Sequence, residues 1–390
     1  MSGPRIGIFH SRLAYGGSEA AALWSAEALK ADYRVSLIAP GKVDLAHLNA
    51  YYGTHLNSGE ITLVPVPLPF GLGRAAKFAA LRGRLVQRHL QRISADYDLV
   101  IGCYGPMQIG SSAIQVIQDF SFSEEWRARL DPILLARRGW ARENSWSRRV
   151  YLKLCHWISP VNPERWKHNL TLVDSKWLGD LMRKAYGIES TVVYPPVVDD
   201  FPRVPFSARE NGFVCLGAVS PEKKMDFIIK VLARVRQKGH NVHLHILGGL
   251  NDSPFAARVK AMAGQHKDWV FLEGWAIGQR KKEILARHRY GIHGREKEPF
   301  GIAVAEMVQA GCITFVPNGG GQVEIVDHPA LVFENEADAV EKIDAVLANP
   351  AEQEALRTHL RQGSKDFSVQ TYMGVMRRLV AEFLEKRKLA

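Results

Sequence analysis

"REKEPFGIAVAEMVQAG", Arg295 to Gly311, places Glu298 and Glu306 eight positions apart around a Pro-Phe-Gly turn. A charged strand-to-helix junction gives way, within a few residues, to a helix of small and apolar side chains. Gly301 leaves the amides of Phe300 to Ile302 open to an anion at a helix N-terminus. Glu298 stands before the turn, where a carboxylate can accept hydrogen bonds. Glu306 comes more than a helical turn later, among Val304, Ala305 and Val308. A charge on such a face is costly unless it is paired or hydrogen-bonded. A diol on a ligand is one such partner and an internal arginine is another.

Around this stretch the chain alternates strands and helices. Upstream lie "GFVCLGAVS", "NVHLHILGG", "WVFLEGW" and "RYGIHG", and downstream "CITFVPNG", with helical patterns between them. The first half opens with "RIGIFHS", a long Ala/Leu helix and "YRVSLIAP", and continues through "YDLVIGC", "AIQVIQDF" and "LTLVDSKWLGDLMRKAYG". Alternation of this kind predicts parallel, doubly wound sheets. Near Val198 the proline-bearing, polar "VDDFPRVPFSARENG" reads as a linker. The expected architecture is α/β: two Rossmann-like domains facing a cleft, 1–199 and 200–369, with a C-terminal helix over 370–390 returning to the first.

At 390 residues the chain is longer than one core usually serves, and 46% apolar with 23% charged residues describes a globular protein. Four scattered cysteines in neither CxxC nor CxxH spacing suit a reducing cytoplasm and argue against a disulfide framework or a zinc site. "MSGPRIGIFHS" lacks the apolar core of a signal peptide, and a run of about 18 apolar residues is missing, so a cytoplasmic location is expected. The net charge of +11 calls for an anionic partner. "GRAAKFAALRGRLVQRHLQR" sets Arg74, Lys77, Arg82, Arg84, Arg88 and Arg92 among Phe78, Leu81, Leu85 and Leu90, the pattern of a helix lying on anionic lipid. A solvated surface helix fits the same charges. A second basic, aromatic tract runs from Trp126 through "RRGWARENSWSRRVYLKLCHW". Neither tract belongs to a nucleic-acid-binding module.

Ligands of open α/β sheets sit at the carboxyl ends of the strands. Three further stretches fall there. Gly16-Gly17-Ser18-Glu19 follows the first strand, where two glycines allow close approach to a phosphate; a purely structural turn is the commoner reading of such a stretch. "SPEKK" supplies Lys223 and Lys224 beside a helix start, where an ammonium can neutralise a diphosphate. "VPNGGGQVEIV", with Gly320 at its centre, offers amides without side-chain obstruction.

Together these stretches resemble the retaining, nucleotide-sugar-dependent glycosyltransferases of the GT-B fold, family 4 type. Glu298 to Glu306 matches that family's E-x7-E motif, with Phe300, Gly301 and the following Gly311. "VDSKWLGDLMRKAYGIESTVVYPPVVDDF" resembles the end of the first domain in mannosyltransferases that elongate lipid-linked oligosaccharides. The resemblance implies a GDP- or UDP-linked sugar as donor, Glu298 on its sugar hydroxyls, and Glu306 on its ribose. It assigns the diphosphate to Lys223 and to amides near Gly17 and Gly301, with neither metal nor cofactor. It also implies an acceptor that is a glycan or polyprenyl-diphosphate-linked, met at the cytoplasmic face of a membrane in cell-surface polysaccharide or lipopolysaccharide biosynthesis. Two positions depart from the pattern. Ala218 stands where the family has an arginine, leaving Lys224 or a distant arginine to replace it. "VIQDFSF" leaves Gln118 or Asp119 in the place of a histidine that faces the donor sugar. A soluble transferase making a free glycoside, and a non-catalytic sugar-nucleotide binder, remain alternatives.

Overall fold

Strands buried on both faces must be apolar nearly throughout, and that is how these strands read. In the computed structural model, which describes residues 3–14, 16–69, 78–110, 113–131, 146–160 and 162–389, they form two fully parallel sheets. The first contains β1 (Arg5–Phe9), β2 (Arg34–Pro40), β3 (Ile61–Val66), β4 (Leu99–Gly102), β5 (Ile114–Ile117), β6 (Leu170–Val173) and β7 (Thr191–Val192). Its order is β3-β2-β1-β4-β5-β6-β7. The second contains β8 (Glu210–Leu216), β9 (His243–Leu247), β10 (Val270–Gly274), β11 (His288–Ile292), β12 (Ile313–Pro317) and β13 (Val332–Phe333), in the order β10-β9-β8-β11-β12-β13. Each sheet reverses direction once, between β1 and β4 and between β8 and β11. Those reversals are where an open α/β sheet leaves a crevice at its carboxyl edge.

The chain divides into one unit of Met1–Pro196 with Gln370–Ala390 and another of Val197–Val369. Entry to and exit from the second unit lie side by side: Val197 bridges Ser368, and its amide donates to the Phe367 carbonyl at 2.9 Å. The last helix, Val369–Leu389, places Tyr372, Met376, Val380 and Leu384 at helical spacing, all buried. It packs on the helix Gly17–Leu29, whose run of alanines permits close approach. There the Tyr372 hydroxyl lies 2.8 Å from Ser25 Oγ and donates to the Ala21 carbonyl at 3.0 Å. Arg377 Nε donates to the Ala28 carbonyl at 2.7 Å.

The basic helix is described in part. Arg74 and Lys77 lie outside the described residues, and the helix runs Ala79–Ile93. Its buried stripe is Val86 and Leu90, packed in a core cluster with Phe9, Ile38 and Val100. Gln91 Nε2 donates to the Gln108 carbonyl at 2.9 Å from the same side. Arg84 is half-buried, and burial lowers its pKa. The core takes the Val86 and Leu90 row, Phe78 stays 45% exposed, and the Tyr151 hydroxyl accepts from the Leu81 amide at 3.0 Å. The second basic tract is described only in part, since 132–145 are outside the described residues. Its helix Trp146–Ile158 buries Cys155 and exposes Trp146 (75%), Leu154 (60%) and Trp157 (85%).

Replacing Tyr372 by phenylalanine keeps the ring and removes its hydroxyl bonds. The expected loss is about 1 kcal/mol, or a Tm lower by about 2–4 °C. An unchanged melting curve would show that the last helix is held by its apolar face alone.

Candidate functional site

The site grows from the reversal in the second sheet. β8 leads through Gly217, at φ 136°, and Ala218 into a single 3-10 turn, Pro221–Lys223. Lys224 takes a left-handed φ of 50° and starts the helix Met225–Gln237. β11 leads into His293, Gly294 and the Arg295–Glu298 loop. A Cβ on Gly294 would lie 2.6 Å from the Lys223 carbonyl oxygen, so only glycine lets the two loops pass this closely. A Cβ on Gly248, at the end of β9, would meet the Gly217 carbonyl at 1.9 Å. Both approaches serve to place Lys223.

Glu298 is where the loops meet. Lys223 Nζ donates to its Oε2 at 2.7 Å, with the two side chains 18% and 13% exposed. His293 Nε2 lies 3.3 Å from the same oxygen, and Arg295 donates to Oε1 at 3.3 Å. Burial alone would raise the Glu298 pKa. Lys223, the His293 hydrogen bond and Arg295 outweigh it and hold the carboxyl well below the usual range. His293 is fully buried, and burial lowers its pKa, so it meets Glu298 as a neutral N–H donor. The backbone is fixed from the other side. Glu298 forms a parallel bridge with Gly320, and the Gly321 amide donates to the Glu298 carbonyl at 2.8 Å. Gly320 sits at φ 105°, and a Cβ there would lie 2.7 Å from the Glu298 nitrogen. The buried Gln322 amide ties both loops together, donating to the carbonyls of Arg295 at 3.2 Å and Gly319 at 2.6 Å.

Gly301, at φ 107°, caps the helix Ile302–Gln309. The Ile302 and Ala303 amides precede the first bond of this helix, from the Val304 amide to the Gly301 carbonyl at 2.8 Å, and amides at such a position favour an anion. Phe300 is buried with its ring 5.5 Å from Phe367, which anchors the turn. Glu306 is off the buried face of this helix, and Lys281 Nζ donates to it at 2.6 Å. Its partner is thus an internal lysine rather than an arginine. Lys224 pairs with Glu296 instead of standing beside Lys223. The second cation at Glu298 is Arg295, at the start of the opening stretch.

In the first unit, Gly16 caps the helix Gly17–Leu29 in an extended conformation, and its amide donates to the Tyr52 hydroxyl at 2.8 Å. That amide already has an acceptor. Glu19 folds back on it, so that a Cβ on Gly16 would lie 2.7 Å from the carboxylate. Asp119 Oδ1 accepts from the Ser121 amide at 2.8 Å, a turn-forming contact. Neighbouring Gln118 is buried with its Nε2 unpartnered. The sequence reading missed His10 at the end of β1. It is buried, its Nδ1 accepts from the Arg12 amide at 3.2 Å, and its Nε2 has no partner. Burial lowers the His10 pKa against the opposing pull of Glu19. Buried donors of this kind are rarely left without an acceptor.

Residues 198–365 match the family described as "Glycosyl transferases group 1". The match covers nearly all of the second unit, Val197–Val369. The chain is 28% identical over 181 residues to a Dictyostelium discoideum GDP-Man:Man(3)GlcNAc(2)-PP-Dol alpha-1,2-mannosyltransferase, covering 41% of this chain and 36% of that protein. The Homo sapiens protein of the same name is 25% identical over 228 residues, covering 52% and 46%. The matched region thus spans less than half the length of either relative. Among solved structures, Anabaena Alr3699/HepE in complex with UDP and glucose superposes with a TM-score of 0.67 at 14% identity, covering 97% of this chain and 100% of that one. WaaG, a glycosyltransferase involved in lipopolysaccharide biosynthesis, gives 0.64 at 18% identity, covering 95% and 99%. The chain has the GT-B fold.

The ion-paired carboxylate carries a stability prediction with a definite sign. A depressed pKa means that its contribution is complete above the ordinary glutamate value of 4.5 and is lost as pH falls through the folded value. Glu298→Gln should lower stability at pH 7 on the order of 1–3 kcal/mol, less than for a fully buried pair because Lys223 keeps some solvent. The gap from the parent should narrow in melts taken progressively below pH 4.5. A gap independent of pH would deny the ion pair this role.

Proposed function

We propose that the protein is a retaining glycosyltransferase that moves a sugar from a nucleoside diphosphate donor to a glycan or lipid-linked acceptor. One observation carries the reading: Glu298 is kept ionised by Lys223, His293 and Arg295 beside the Gly301 helix start. Breaking the donor's glycosidic bond leaves negative charge on the nucleoside diphosphate, and groups aimed at that charge lower the barrier. Lys223, Arg295 and the amides of Phe300 to Ile302 supply them without a divalent ion. Glu298 accepts hydrogen bonds from the sugar hydroxyls. Glu306 takes the ribose diol in exchange for part of its contact with Lys281. Arg295 fills the deficit left by Ala218. In the first unit, His10 Nε2 and Gln118 Nε2 are buried without an acceptor among the described residues. Retention then follows from attack on the same face as the departing diphosphate.

Mannose carried on GDP is the leading donor, since the names of the mannosyltransferase relatives specify GDP-Man; the structural neighbour HepE, by contrast, is in complex with UDP and glucose. Thermal melts with GDP-mannose and UDP-glucose separate the two, because a ligand at a hundredfold its Kd adds about 2.7 kcal/mol. Lys223→Ala should weaken donor binding about 10–100-fold, the equivalent of a charged hydrogen bond worth about 1.5–3 kcal/mol. Equal binding of nucleoside diphosphate by mutant and parent would remove Lys223 from the phosphate. Binding without donor hydrolysis or transfer would favour a sugar-nucleotide binder.

A membrane-bound acceptor is favoured by the helix Trp146–Ile158, where Trp146, Val150, Leu154 and Trp157 recur on one exposed face with Arg149 and Lys153 beside them. Aromatic and basic side chains in this arrangement suit a headgroup interface. Among the described residues, none of the helices is long and apolar enough to cross a membrane. The combined change Trp146→Gln, Leu154→Gln and Trp157→Gln should release the protein from anionic vesicles, whereas Arg82→Gln with Arg88→Gln should weaken sedimentation less. If the parent stays in the supernatant, the acceptor is a soluble glycoside.

A further inference from the structure

At the opposite, amino-terminal edge of the second sheet, three adjacent strands bring four metal-ligand side chains together. Glu210 begins β8, His243 begins β9 with His245 two residues on, and His288 begins β11. Gly212 pairs with His243 and Glu210 with His288, so all four project from one face. Strands two apart are about 9–10 Å from each other, too far for direct contact between short side chains. Gly212 closes the distance. A Cβ there would lie 2.1 Å from His243 Nε2, so the missing side chain is the space the imidazole occupies. The rings of His243 and His288 are 5.2 Å apart, and those of His245 and His288 4.5 Å.

We propose that Glu210, His243, His245 and His288 bind a divalent transition metal, with zinc the best fit. One ligand atom from each lies within 4.8 Å of all the others. Tetrahedral zinc with bonds of about 2.0–2.1 Å needs ligand atoms about 3.4 Å apart. Glu210 Oε2 is already 3.2 Å from His243 Nε2 and 3.5 Å from His288 Nε2. His288 is wholly buried and its Nε2 makes no hydrogen bond, while the buried His243 Nε2 faces the Glu210 carboxylate. Metal-binding histidines are held by a partner on the other nitrogen. His288 Nδ1 donates to the Ile284 carbonyl at 2.6 Å, and His245 Nδ1 lies 2.7 Å from Glu273. Each contact leaves Nε2 as the lone-pair nitrogen. Glu210 Oε1 is paired with Arg287 at 2.8 Å, so Oε2 is the oxygen available. Glu210 and His243 are partly exposed and give access from solvent.

The site is a clamp on three strands, about 20 Å along β8 from the Lys223 turn, and takes no part in the proposed transfer. Its test uses the untagged full chain, stripped with chelator and titrated with Co2+. The expected result is one equivalent bound with the intense visible absorption of a tetrahedral site, bleached by Zn2+, and a higher Tm with Zn2+. Glu210→Gln and His243→Gln, both at partly exposed positions, should weaken Co2+ about tenfold or more. Glu273→Gln, which alters the carboxylate that meets His245 on one oxygen and Arg280 on the other, should weaken it about 10–100-fold. Absence of a stoichiometric Co2+ spectrum in the parent would overturn the proposal. So would a spectrum unchanged in Glu210→Gln and His243→Gln, which would locate the metal elsewhere.

Discussion

The contact between Lys223 and Glu298 joins the two loops on which the second unit's site is built. One loop leaves β8 and the other leaves β11, the pair of strands between which the sheet reverses. Neither loop has regular structure beyond a single 3-10 turn, so their mutual position depends on what crosses between them. A lysine meeting a carboxylate, with a neutral imidazole underneath, orients both groups toward the edge of the sheet where helix N-termini point. The same carboxylate is gripped through its backbone by the glycine loop after β12. Three consecutive strand ends thereby share one residue, and its charge is retained because its neighbours outweigh its burial.

Glycines decide how near these loops come. Gly294, Gly248 and Gly320 each stand where a Cβ would collide with backbone. In a sheet of this kind the strands supply rigidity, and glycines at their ends convert it into close placement of charged groups. Gly212 does the equivalent within a strand, making room for a ring instead of a loop. The two ends of the same sheet are thus arranged by the same device to different effect.

The fold and the principal carboxylates were legible in the sequence because both are local signals. Apolar runs separated by helical patterns define parallel strands, and Glu298, Glu306 and Lys223 sit at recognisable spacings around strand ends. Arg295 and His293 were adjacent to that motif yet unmarked, since nothing in a linear pattern tells which of several charges in a loop turns inward. Lys281 as the partner of Glu306 comes from a separate helix and has no sequence signature. The basic helix is ambiguous in a different way. It carries two apolar rows, Phe78, Leu81 and Leu85 in one and Val86 and Leu90 in the other, and periodicity alone does not choose which meets the core. The histidine cluster was invisible because its members are gathered by strand order; "HLH" by itself reads as an ordinary strand.

The adjoining positions of Val197 and Ser368 have a consequence for synthesis. The second unit is one continuous stretch, complete once its last residue has left the ribosome. The first is interrupted, and its alanine-rich helix Gly17–Leu29 is translated hundreds of residues before the helix carrying Tyr372 and Met376 that covers it. Domains fold as units while the chain is still growing. The unit made first is therefore finished last, and during elongation its apolar flank is open to chaperones or to misassembly. Emergence of the helix Val369–Leu389, rather than of the residues before Val197, sets the moment when the first unit becomes whole.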